Sequence, residues 1–125
     1  MKDELKQQFA LRITQANKSE LVVILYEMFL TYIGEAKDDL KDQDLKTFRL
    51  NIQRARGCLK ELMASLNYNY EPASSLLSLY IYINKLLVEA DIHGEEKPLN
   101  ESEKIMKRLH SAYDTVSKED HSAPV

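Results

Sequence analysis

Few side chains in this sequence could do chemistry: His93, His110, His121, the single Cys58, and carboxylates numerous enough to leave a net charge of -3. A metal site in a helical chain needs ligands that converge, as Glu-x-x-His pairs do in bundle cores, and no histidine here has that spacing. Cys58 has no nearby ligand partner and reads as the inert thiol that helical cores often contain. The sequence lacks a glycine-rich phosphate loop, and no serine or cysteine has a recognisable base. The carboxylates fall on polar faces and in loops, where water solvates them. Catalysis, a metal and a cofactor are therefore not expected.

Adhesion is the better-supplied chemistry. Four of the seven tyrosines, Tyr68, Tyr70, Tyr80 and Tyr82, fall in "YNYEPASSLLSLYIY". Tyrosine combines a large apolar ring with a wet hydroxyl, which suits a surface that meets a partner. Lys46, Arg49, Arg56 and Lys60 share one flank of a helix. A solvated face is the plain reading of that flank, and docking of an acidic partner is the functional one. The negative overall charge argues against nucleic acid as the partner.

The elements that carry these residues read as helices throughout. At 125 residues, 44% hydrophobic and 30% charged, the chain suits one domain with one core. A short helix is expected at Asp3 to Thr14, where Leu5, Phe9 and Ile13 recur every four residues. Asn17 and Glu20 have the spacing of a capping box and open a long helix to about Leu40. Asp42 or Asp44 can cap the next, which runs to about Leu66. Pro72 starts a third long helix that Gly94 stops near His93, and Asn100 with Glu103 repeats the box for a fourth, ending near Ser117. The remaining tail, 118–125, is polar and reads as frayed.

Leu45, Phe48, Ile52, Ala55, Leu59, Leu62 and Leu66 alternate spacings of three and four, a single seam that needs a partner helix. Ile105, Leu109, Ala112 and Val116 supply a matching seam in the last helix. Short connections bring such helices back antiparallel. The expected fold is all-α: an antiparallel up-down four-helix bundle with a short additional N-terminal helix, spanning 1–117.

The first and third long helices exceed the needs of one core. From Leu21 to Ile33 only Glu27 and Thr31, continued by Gly34 and Asp38, make a polar strip. The third long helix has a core face of Leu76, Leu79, Tyr80, Ile83, Leu86, Leu87 and Ala90, and a second stripe of Leu77, Ile81 and Val88 about 120° away at 100° per residue. Such a stripe is either buried by a central position in the bundle or is a groove for an amphipathic segment.

"RITQANKSELVVILYEMF", followed downstream by "SLN" and "LYIYINKLLVEAD", resembles the flagellar secretion chaperone FliS family. Ala16, Glu20, Leu21, Leu25 and Tyr26 match the family's first long helix. Leu79, Tyr80, Tyr82, Leu87, Ala90 and Asp91 match a later one. Departures from its pattern are Lys18, Met28, Ile81, Lys85 and Leu86, and Phe9 stands one position away from the family's N-terminal tyrosine.

The resemblance implies a cytoplasmic export chaperone, a monomer or weak homodimer without catalytic activity. Its partners would be the disordered C-terminal segment of flagellin, kept from premature polymerisation, and the flagellar export gate. The groove expected for that segment is Leu25, Tyr26, Phe29, Tyr68, Tyr70, Leu77, Ile81, Tyr82 and Val88. Leu5, Phe9 and Ile13 would form a covering or gate-docking segment. The competing expectations are a homodimeric structural or regulatory bundle and a paralogous co-chaperone with another flagellar client. No signal peptide and no apolar run of the ~18 residues needed to span a bilayer is present in the sequence, so no membrane insertion is expected.

Overall fold

The computed structural model describes residues 1–69 and 72–119, the last four as backbone only. Five helices follow in order: α1 (Asp3–Gln15), α2 (Lys18–Lys41), α3 (Leu45–Ala64), α4 (Pro72–His93) and α5 (Lys97–Glu119). Tyr70, the side chain of Val116 and most of the tail lie outside the described residues.

Local signals set the helix boundaries. The side chain of Asn17 accepts a hydrogen bond from the Glu20 amide at 2.8 Å, and Glu20 accepts one from the Asn17 amide, completing the capping box. Asp44, rather than Asp42, caps α3 by accepting from the Thr47 amide at 3.2 Å. Asp42 closes α2 instead. Gly94, at φ 63°, takes the left-handed conformation that ends α4. Gln43 adopts φ 57° in the turn between α2 and α3, a conformation that its side chain did not announce.

The start of α5 corrects the sequence reading. Asn100 is already inside the helix, its amide bonded to the Glu96 carbonyl at 3.0 Å, and Glu103 faces Lys37 at 3.3 Å instead of closing a box. The helix begins four residues earlier, at Lys97 instead of after an Asn100 cap, because Pro98, in its first turn, gives up no bond there. The buried seam of α5 is accordingly Leu99, Ser102 and Met106, continued by the half-buried Leu109 and Tyr113, while Ala112 is exposed. Ser102 tolerates burial because its hydroxyl donates to the Leu99 carbonyl at 2.8 Å.

Helices α2, α3, α4 and α5 form a closed ring in which each packs on its chain neighbours and α5 returns to α2. Pairs such as Asn51 with Asp39 and Arg56 with Asn84 run in opposite senses along adjacent helices, as an up-down bundle requires. The α3 seam is buried as expected from Phe48 to Leu66, but Leu45 at its start is 52% exposed. Across the ring, on the α2–α4 diagonal, the hydroxyls of Tyr26 and Tyr80 meet at 2.6 Å, and Tyr113 packs edge-on to Tyr26. Burial, with the paired hydroxyls, holds the Tyr26 phenol far above its ordinary range; burial pushes Tyr80 up to about 12. Both therefore stay neutral and bond each other.

Among the described residues, helix α1 packs on α2 alone. Phe9 is its buried anchor and Leu5 is half-buried, but Ile13 is 38% exposed. A spacing of four advances 40° per step around a helix, so by Ile13 the stripe has turned outward. Arg12, itself exposed, reaches across to α2 and pairs with Glu27 at 2.6 Å.

Candidate binding groove

The described residues expected to form one groove fall in four places. Leu25, Tyr26 and Phe29 are interior, with Tyr26 and Phe29 fully buried, so their assignment to a presented surface is corrected. They sit on the side of α2 that faces the ring, together with Val22 and Ile33. Tyr82 stands on the flank of α4 next to α5, where its hydroxyl donates to the Glu101 carboxylate, and that bond raises its pKa. Tyr68 is exposed in the connection after α3, with its hydroxyl donating to the Met63 carbonyl at 3.3 Å. Leu77, Ile81 and Val88 remain as one stripe on the opposite flank of α4. Leu77 and Val88 are half-buried and Ile81 is 55% exposed.

That stripe borders α3. Arg56 Nε donates to Asn84 Oδ1 at 2.9 Å, and Arg49 stands 3.7 Å from Asp91. Asn84 and Asp91 share the α4 flank of Ile81 and Val88 at 100° per residue. The structure thus brings together two sets that sequence reading kept apart: the spare apolar stripe of α4 and the cationic flank of α3. Beside the stripe, an open trough runs along α3 and touches α4 at Asn84. One concavity of about 430 Å3 is lined by Gln53, Arg56, Gly57, Lys60, Met63 and Asn84. A second, of about 410 Å3, shares Gln53 with the first and is lined by α3 residues, Leu45, Lys46, Arg49, Leu50 and Gln53.

The apolar surplus of α2 meets a different fate. Val23 and Ile24 lie off the ring-facing side of α2 yet are buried, as is Phe9 of α1. Glu27, in the polar strip, accepts from Arg12 of α1 and lies 3.0 Å from His110 Nε2 of α5. Burial alone would raise the Glu27 pKa, but the Arg12 and His110 hydrogen bonds outweigh it and hold the carboxyl below its ordinary value. Helix α1 therefore covers α2 and leaves the trough along α3 open.

Among the described residues no group of three or more His, Cys, Asp or Glu side chains could hold a metal ion. Cys58 is buried, and that burial pushes its thiol up to about 12, far from a nucleophile's range. What the surface offers is a trough along α3 with a cationic rim, beside the partly exposed apolar stripe of α4.

A family model described as flagellar protein FliS matches residues 1–120. The chain belongs to the FliS family. The flagellar secretion chaperone FliS of Bacillus subtilis (strain 168) is similar to this FliS-family chain, with 28% identity over 101 residues, 81% of this chain and 76% of that protein. Among the described residues of this family member, no helix is long and apolar enough to cross a membrane.

Proposed function

We propose that the chain is a cytoplasmic flagellar export chaperone. In this reading it binds the disordered C-terminal region of flagellin, keeps it from polymerising early and delivers it to the export apparatus. The observation that carries the reading is Ile81, 55% exposed between Leu77 and Val88 on a helix whose other apolar face already fills the core. A FliS-family chain that leaves such a stripe open has a place for an amphipathic client to order itself. A client that is disordered when free loses much of its contact energy to ordering, so the interface must be long and apolar.

The test is calorimetric titration of the full chain with the C-terminal ~50 residues of the host's flagellin, a length suited to a coupled-folding interface. One-to-one binding with a large negative heat-capacity change is expected, and Ile81→Asp should abolish it while leaving the helical signal intact. A folded chain that ignores the peptide would sink the flagellin assignment. If sedimentation then shows a dimer that Ile81→Asp dissociates, the stripe serves a second copy of the chain.

A further inference from the structure

We infer that the trough along α3 takes an amphipathic helix carrying carboxylates along one flank. This rests on the reading of the trough as a client groove and adds the chemistry of its occupant. The lining of α3 from Leu45 to Met63 runs for about 27 Å at 1.5 Å per residue, which suits a partner helix of about 18 residues. Its two concavities join at Gln53, so one continuous segment can occupy both. Leu45 and Leu50 are exposed at one end and Met63 is half-buried at the other, which gives the occupant an apolar stripe to match.

Charge selects the flank. In a chain of net charge -3, the α3 rim carries Lys46, Arg49, Arg56 and Lys60, separated by three, seven and four residues. Those separations repeat whole turns of a helix, so a partner helix lying alongside presents one flank to all four cations. Only Arg49 faces a carboxylate across the trough, at 3.7 Å from Asp91. Lys46 and Lys60 make no ion pair within 4 Å among the described residues. The rim is therefore only partly neutralised by the chain itself, with Arg49 facing Asp91 and Lys46 close enough to Asp44 to feel its charge. An acidic flank would be steered in and set in register by it, with each exposed pair adding modestly to affinity.

Gly57 supports the same occupant. A Cβ built there meets nothing within 4 Å, so no neighbour inside the chain requires a glycine in the middle of α3. Its lack of a side chain widens the concavity that it lines and lets a partner backbone approach α3 closely.

The test uses the full chain and two synthetic peptides of about 18 residues. Both carry one leucine stripe; one has glutamates on a single flank and the other has lysines in those places. The glutamate peptide should bind about 10-fold tighter than the lysine peptide. It should weaken as salt rises from ~50 to ~500 mM and shift the amide resonances of Leu45, Leu50 and Met63. Lys46→Glu with Lys60→Glu, which breaks no internal ion pair, should invert the preference. Equal binding of the two peptides, no binding of either, or resonance shifts confined to other helices would overturn the inference. The flagellin titration separates this failure from that of the function. Flagellin binding that is lost in Ile81→Asp but indifferent to the double lysine reversal overturns the acidic flank and leaves the chaperone reading. Glutamate-peptide binding along α3, without flagellin binding, does the reverse.

Discussion

Helices α2 and α4 are written in the same way and end differently. Both are apolar on more than one side, and both place a tyrosine at the centre of the bundle, where Tyr26 and Tyr80 share a hydrogen bond across the diagonal. The surplus of α2 is covered by the chain itself, because α1 folds back on it with Phe9 buried and Arg12 paired to Glu27. The surplus of α4 is left beside a cationic helix flank, with Ile81 more than half exposed. A greasy helix is thus no evidence of a binding site until its neighbours are known. The open side is the informative one, since an apolar stripe that water touches has a cost the fold has not removed.

The comparison breaks most sharply on stability. Phe29→Ala on the core side of α2 should cost about 3–5 kcal/mol in urea unfolding, whereas Ile81→Asp on α4 should stay within about 0.5 kcal/mol of the parent. Equal losses at the two sites would mean that the α4 stripe is core after all. A smaller effect is expected at the cover. Phe9→Ala should cost about 1–3 kcal/mol, with faster amide exchange confined to α1 and little change in α3. Exchange that rises throughout the bundle would show that α1 is part of the cooperative core.

The smallest effect is the response of α1 to acid. Glu27 has a folded pKa depressed below its ordinary value of 4.5, so its contribution is present above that value and lost as the pH falls through the depressed one. The protection of α1 amides, taken relative to their intrinsic exchange rate at each pH, should therefore fall as the pH drops below about 4.5, before the four-helix ring opens. Glu27→Gln should remove that acid step while leaving the exchange of α4 unchanged.

Much of the helix plan could be read in advance, and so could part of the candidate groove. The capping box at Asn17, the Pro72 start and the Gly94 stop are decided by a few adjacent residues, and the structure reproduces them. The start of α5 went unread because Asn100 and Glu103 imitate a box inside a helix that Pro98 had already begun. In the groove, Leu77, Ile81 and Val88 were legible as a second stripe. Leu25, Tyr26 and Phe29 were assigned there by resemblance and proved to be core.

The residues alone are enough to make this chain legible as helical, to place most of its helix ends and to show that two helices carry more apolar surface than one core uses. Those properties follow from local periodicity and capping, which act within a turn or two of the residues concerned. Tertiary structure alone decided which surplus is covered and which faces solvent. It also decided that Arg56 of α3 meets Asn84 of α4, so that the cationic flank of α3 lies beside the apolar stripe of α4. The reason is rotational: each residue turns a helix by 100°, so the packing phase of each helix decides which flanks meet, and that phase is set by contacts between segments far apart in the chain.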